Sequence, residues 1–322
     1  MINFLPRFLD SPSPNRRGGW GVRCAVTFHD LLPAYLFPKA GPLRDWVTFQ
    51  LARGADAVIA TNSADYARLR ENVRGLKKWL KLIPIGSNIA PTTPPPDFNR
   101  IKLRDRLGVR DDETLLVYFG FLNASKGAET LIRALYDLPK TKLLFLGGQT
   151  GESDPTNVAY LEQVKQAIRD WGLEHRVLWT DYMPAEQVSA HFYASDVCVL
   201  PYRDGASFRR GSFMAALAHG IPIVTTQPAN MKAEGGRRKD ETNVDDGDSS
   251  FILHLSSLPV LQDGDNVLLV PPDDPDAIIL AVTRVQTSPG LAALLSGNAR
   301  ITARAFTWDK IADEHLDSAI VR

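Results

Sequence analysis

The residues with most chemistry to offer lie in three turns, each following an apolar run. Gly120-Phe121-Leu-Asn-Ala-Ser-Lys126-Gly127 places a lysine where a helix should open. A helix N-terminus is already positive, so a lysine there makes sense if an anion shares the site. Gly147-Gly148-Gln149-Thr-Gly151 lets backbone approach a ligand closely. Pro201-Tyr-Arg-Asp-Gly-Ala-Ser207-Phe208-Arg209-Arg210-Gly211-Ser212 offers hydroxyls, backbone donors and paired arginines, whose planar forks match phosphate oxygens. Three such turns at one sheet edge, two of them carrying cations, point to an anionic ligand. The blander readings are a surface lysine and a solvated loop with one arginine in a structural ion pair. The dinucleotide fingerprint G-x-G-x-x-G, the phosphate loop G-x-x-x-x-G-K-[ST] and H-E-x-x-H are absent from the chain, and no His/Cys cluster suggests a metal site.

The elements that must hold these turns follow from the apolar pattern. Val22–Phe28, Ala57–Ala60 and Leu80–Ile85 read as strands, with helices at Leu43–Arg53 and Ala64–Glu71, the latter capped by Ser63. Pro91-Thr-Thr-Pro-Pro-Pro96 cannot continue a helix or central strand and reads as a linker. Beyond it, strands at Leu115–Phe119, Lys142–Leu146, Val177–Thr180, Val197–Leu200, Pro222–Thr225 and Val267–Val270 alternate with helices, and Ser125 is a possible cap after the first. Such continuous apolar strands signal a parallel sheet covered on both faces, with its ligand crevice at the carboxyl ends. Met231–Ser250 is charged and nearly free of apolar residues, and reads as an exposed or disordered insertion.

Composition narrows the classes. The chain has 322 residues, soft grounds for two domains, and 37 basic against 37 acidic side chains. Zero net charge argues against a nucleic-acid binder. Cys24 and Cys198 are far apart and sit in apolar runs, which predicts buried, reduced thiols in strands and a cytoplasmic setting. No stretch approaches the roughly 18 apolar residues of a membrane span, and peripheral membrane contact stays open.

Several ordered motifs carry a resemblance. Phe119-Gly-Phe-Leu-Asn-Ala-Ser-Lys-Gly-Ala-Glu-Thr-Leu-Ile132, Asp196-Val-Cys-Val-Leu-Pro-Tyr202, Ala216-Leu-Ala-His-Gly-Ile-Pro-Ile-Val-Thr-Thr226, Asp263-Gly-Asp-Asn-Val-Leu-Leu-Val-Pro-Pro272 and Phe306-Thr-Trp-Asp309 resemble the donor domain of GT4-family retaining glycosyltransferases of the GT-B fold. Val26-Thr-Phe-His-Asp30 and Asp56-Ala-Val-Ile-Ala-Thr-Asn62 resemble that family's acceptor domain. The resemblance implies an α/β, GT-B-like chain of two Rossmann-like domains facing a cleft. It implies sugar transfer from a nucleoside diphosphate sugar, with retention and without a metal or other cofactor. Lys126 matches the family's pyrophosphate-binding lysine, whereas Phe121 stands where its arginine would be. Ser207 and Ala215 stand where its Glu-x7-Glu pair, which contacts donor sugar and ribose, would be. Arg209 and Arg210 are candidates to supply the missing charge, and His29 matches the acceptor-domain histidine near the reaction centre. Gly120, Phe121, Gly148, Gln149, Asp181, Ser207, Phe208, Gly211 and Ser212 complete the expected donor contacts, with base and ribose against the turns after Gly147 and Thr180.

The expected division is a partial acceptor-side domain at 1–90, a linker at 91–100, a donor domain at 101–305 interrupted at about 229–252, and a closing helix at 306–322. The first domain reads as incomplete: it lacks the family's opening strand and glycine-rich loop. A homodimer or partner chain is one way to cover the exposed edge this leaves. The acceptor is a saccharide, a lipid-linked saccharide or a small molecule. A non-catalytic nucleotide-sugar or partner-binding module is the main rival, and a sugar-nucleotide epimerase of the same fold the weaker one.

Overall fold

The computed structural model describes residues 2–6, 24–29, 31, 41–73, 75–76, 80–91, 98–148, 155–228 and 259–320. The loop at 11–21, the insertion at 229–252, most of the proline run, Asp30 and Gln149 lie outside the described residues. The described residues form two compact units. One gathers those up to Gly86 and those from Phe306 on; the other runs from Ser87 to Ala305.

The first unit is built on four strands in the order β1 (Ile2–Pro6), β2 (Cys24–Phe28), β3 (Ala57–Ala60) and β4 (Leu80–Leu82). β2, β3 and β4 are parallel, while β1 runs antiparallel along the outer edge of β2, with Ile2 opposite Phe28. The sequence reading recognised three strands and left that edge bare; β1 covers it, because a five-residue run needs only backbone groups to pair. Helices α1 (Gly41–Gly54) and α2 (Ser63–Asn72) follow β2 and β3. The cap of α2 is Asn62 and not Ser63: the Asn62 side chain accepts from the Asp65 backbone N–H at 2.8 Å. Val58, Ile59 and Ala60 are fully buried, and Ile59 and Ile83 pack with Ile311 of the C-terminal helix, α10 (Trp308–Ile320). Cys24 is half-buried, contrary to expectation, because β2 begins there at the margin of the sheet; Cys198 is buried.

The second unit carries a six-stranded, wholly parallel sheet. In chain order its strands are β5 (Thr114–Phe119), β6 (Thr141–Leu146), β7 (Val177–Trp179), β8 (Val197–Leu200), β9 (Ile223–Thr226) and β10 (Leu268–Val270). In space they run β10-β9-β8-β5-β6-β7. Its helices are α3 (Arg100–Arg106), α4 (Ala128–Tyr136), α5 (Pro155–Asp170), α6 (Ala185–Ala194), α7 (Gly211–His219), α8 (Pro275–Thr287) and α9 (Pro289–Ala303). Leu131, Ile132 and Leu135 of α4, Val164 and Ile168 of α5, and Ile278, Val282 and Val285 of α8 bury one helical face each in a common core with Leu116, Leu143, Val197 and Val224. The chain steps from β5 outward to β7, then returns to place β8 on the other side of β5. That reversal opens a crevice between the carboxyl ends of β5 and β8, where open α/β sheets bind their ligands.

Several motif residues serve this framework. Asp196, at the start of β8, accepts from the Leu115 backbone N–H at 2.7 Å and from Arg104 at 2.9 Å. Asp56 does the same in the first unit, accepting from the Cys24 N–H at 2.8 Å. Each aspartate ties the start of one strand to its neighbour. Asp263 accepts from the Leu269 N–H at 2.8 Å, and Asn266 closes its turn on Gln262 and Val260. Buried His219 ends α7, with Nδ1 2.7 Å from the Ala215 carbonyl and Nε2 2.8 Å from the Ser189 hydroxyl of α6. Its burial lowers its pKa.

Candidate functional site

The turn after β5 begins at Gly120, whose φ of +108° is open only to glycine. A side chain there would also meet the Lys126 ammonium, 3.1 Å from an ideal Cβ, and the Ser212 Cβ, 3.5 Å from it. Gly120 is therefore the floor over which a lysine from one turn and a serine from the other meet. Lys126 closes a 3₁₀ turn (Ala124–Lys126), and Gly127, at φ +64°, separates it from α4. The sequence expectation that Ser125 caps the helix fails: its hydroxyl turns back to Asn123 Oδ1 at 2.8 Å, and Gly127 occupies the cap with no side chain to offer. Any side chain at Gly127 would collide with the Pro201 carbonyl oxygen, so the turns after β5 and β8 touch there backbone to backbone.

Lys126 donates to the Phe121 carbonyl at 2.8 Å. Burial, with the neighbouring charge of Arg210, lowers its pKa to about 8. A partly desolvated ammonium near a guanidinium is an environment that favours a bound anion.

The turn after β8 supplies the second cation. Arg210 lies with its guanidinium carbon 4.2 Å above the Tyr202 ring, and its Nη2 pairs with Asp204 Oδ1. Tyr202 is fully buried, and its hydroxyl lies 2.7 Å from the Ser212 hydroxyl. The ring thus carries the guanidinium on its face and reaches the first turn of α7 with its edge. Arg210 Nε and Ser207 Oγ are both buried without a hydrogen-bond partner. Arg203 is held by other carboxylates: it joins Glu129 and Asp273, each at 2.8 Å, and its backbone N–H donates to the Ser125 carbonyl at 2.8 Å.

The remaining expected contacts flank this centre. Gly148 lies so close to Phe121 that a Cβ would come within 2.9 Å of the ring. Thr180 Oγ1 accepts from the Gly147 N–H at 2.8 Å, fixing the glycine turn beside the end of β7. Asp181 is exposed in the turn after β7. The Phe208 ring packs 5.9 Å from that of Phe213 in α7, and Gly211 and Ser212 open that helix. Arg209 Nη2 lies 3.6 Å from Asp204 Oδ2. His29 belongs to the first unit, half-buried at the end of β2, with its pKa lowered by burial and by the charge of His315.

The structure thus brings together Gly120, Lys126, Arg210 and Ser212, with Ser207 nearby on the same turn as Arg210. Sequence reasoning missed Tyr202 and Asp204. Tyr202 reads as one more apolar residue after a strand, and only its place eight residues before Arg210, at the mouth of a turn, could have drawn attention.

The comparisons with known proteins bear on the family and the fold. Residues 113–253 match the family described as glycosyl transferases group 1. Over 276 residues the chain is 29% identical to a D-inositol 3-phosphate glycosyltransferase of Xylanimonas cellulosilytica, covering 82% of this chain and 58% of that one. It is 30% identical over 207 residues to a GDP-mannose-dependent alpha-(1-6)-phosphatidylinositol monomannoside mannosyltransferase of Mycolicibacterium smegmatis, covering 60% of this chain and 51% of that one. The chain therefore spans little more than half the length of these curated relatives. Among solved structures it is similar to sucrose-phosphate synthase of Thermosynechococcus elongatus, with a TM-score of 0.64, 25% identity, and 90% of this chain and 65% of that one covered. It also shares its fold with Anabaena HepE in complex with UDP and glucose, with a TM-score of 0.69, 21% identity, and 91% and 70% covered. The parallel strands of both sheets, the crevice between β5 and β8 and these matches lead to one assignment: residues 113–253 match the group 1 glycosyl transferases, and the chain has the GT-B fold.

Proposed function

We propose that this protein transfers a sugar from a nucleoside diphosphate sugar to an acceptor hydroxyl, with retention and without a metal. The observation that carries the reading is the meeting of Lys126, Arg210 and Ser212 around Gly120, in the crevice where the strand order reverses. When the glycosidic bond of the donor breaks, negative charge collects on the β-phosphate. A half-buried ammonium and a guanidinium already in place stabilise that charge without reorganising. Phe121, with Gly148 and the Thr180-held turn, forms the base and ribose end in this reading, and His29 belongs to the acceptor side. The two relatives named for inositol-containing acceptors support a polyol or lipid-linked acceptor. A hexosyl donor is the working choice.

Lys126→Ala is the direct test. Loss of one preorganised charge is expected to lower donor turnover at least ~10-fold, read as release of nucleoside diphosphate from UDP-glucose or GDP-mannose. Unchanged kinetics in that variant would remove Lys126 from the site and the reading with it. One observation favours the alternative of a binding module without turnover. Ala215, at the position of the family's second glutamate, is fully buried and offers no polar group. Donor binding by wild-type protein with no hydrolysis or transfer would decide for that module.

A further inference from the structure

Arg210 has two adjacent donors, Nε and Nη2, the edge with which a guanidinium grips two oxygens of one phosphate. The structure treats them unequally. Nη2 pairs with Asp204, while Nε is buried without a partner. The same carboxylate also faces Arg209, with Oδ2 3.6 Å from its Nη2. One acid therefore serves two guanidiniums whose side chains are only 18% and 13% exposed. Lys126 adds a third positive charge within electrostatic reach of Arg210. A fork with one prong filled and the other dry is incompletely satisfied, and a buried donor left unpaired is costly.

The partners also differ in their freedom to move. Arg210 is held on the Tyr202 ring, and Tyr202 is anchored by its hydroxyl contact with Ser212 and by its carbonyl, which accepts from Thr226 Oγ1 at 2.6 Å. Asp204 is 40% exposed, in a short turn. The carboxylate can leave for water; the guanidinium cannot.

We propose that Asp204 is an internal counter-ion that closes the Arg210 fork and is displaced from Nη2 when a diphosphate binds, so that competition between carboxylate and phosphate sets the affinity for the donor. The proposal rests on the reading of this crevice as the diphosphate site. No bond is made or broken covalently: one charge-assisted hydrogen bond is exchanged for two. The role differs from simple support of Arg210, because a support improves ligand binding and a competitor weakens it.

Asp204→Asn keeps an oxygen for Nη2 and removes the charge. Binding of inorganic pyrophosphate, UDP, GDP and ADP is measured by calorimetry on wild type and variant. For every probe that binds, the variant is expected to bind about 3- to 10-fold more tightly, because an opposing charge a few ångströms away has gone. Asp204→Ala is expected to shift affinity the same way, and it carries the sign test if the Asn variant misfolds. Weaker or equal binding in a variant that melts with wild type overturns the counter-ion role. The outcome also separates the two readings. Pyrophosphate that tightens while no nucleotide binds keeps the counter-ion and rejects the donor assignment. UDP that binds both proteins equally rejects the counter-ion and keeps the donor. Failure of every probe to bind either protein rejects both.

Discussion

The turns after β5 and β8 each bring one cation to the same place, and they do so by opposite means. Lys126 sits on a tight 3₁₀ turn, bonded to a backbone carbonyl, and none of the described carboxylates pairs with it. Arg210 sits in a longer turn, stacked on Tyr202 and paired with Asp204. The first charge is desolvated and kept waiting; the second is compensated and held rigid. Lysine suits the first post because its proton can be lost when its surroundings turn hostile. Arginine suits the second because it keeps its charge under the same conditions and offers a flat face to an aromatic ring.

Arg210→Lys is the substitution that breaks this division most sharply. It keeps the charge but loses the fork and the stacked face. The KM for the donor is expected to rise about 10-fold or more, since a point charge cannot replace two directed bonds. Steady-state kinetics across donor concentrations read the effect. A KM within twofold of wild type would mean that charge alone matters, and that the two turns are interchangeable.

The pH dependence sharpens the same contrast from the other side. Lys126 has its pKa lowered from 10.5 to about 8, first by burial and then by Arg210. The folded protein therefore sheds this proton more readily than the unfolded chain. Between about pH 8 and 10.5 the unfolded state holds more protons, so this lysine makes stability rise with pH across that window. Anion binding has the opposite sign: it is strongest below pH 8, where the ammonium is charged, and weakens above it. Pyrophosphate affinity is expected to fall about 3- to 10-fold between pH 7.5 and 9.5, and Lys126→Met is expected to flatten that fall. A profile of the same shape in the methionine variant would assign the titration to another group.

How much of this was legible beforehand follows the same line between local and wired features. The six parallel strands of the second unit could be read because each is a short apolar run between turn residues, and Lys126 could be singled out because its neighbours in sequence define its post. Helix α3 and strand β1 could not. α3 is seven residues with a mostly polar surface, and its buried side chain is Arg104, whose hydrogen bonds to Ala194 and Asp196 no local pattern announces. β1 is defined by antiparallel pairing with a strand some twenty residues later, a non-local event. Within the site, the paired arginines were visible, but their inequality was not. Which of Arg209 and Arg210 lies on an aromatic ring depends on how the turn folds back over Tyr202, and that depends on Thr226 and Ser212 from two other elements.

Tyr202 supplies the smallest and most discriminating test of the comparison. Tyr202→Phe keeps the ring under Arg210 and removes only the hydroxyl that meets Ser212 at 2.7 Å. Loss of a single neutral hydrogen bond is expected to cost about 1 kcal/mol at most in the placement of Ser212, or at most roughly a fivefold rise in donor KM, with Arg210 undisturbed. Tyr202→Leu removes the stacked face as well and is expected to approach the effect of Arg210→Lys. The two variants together partition the tyrosine between its edge and its face. If Phe and Leu behave alike, the hydroxyl is what matters and the guanidinium finds its place without the ring; if Phe is silent, Ser212 is held by the first turn of α7 alone. A graded series, with Phe mild and Leu severe, means that one buried aromatic couples the second cation to the helix that opens beside it.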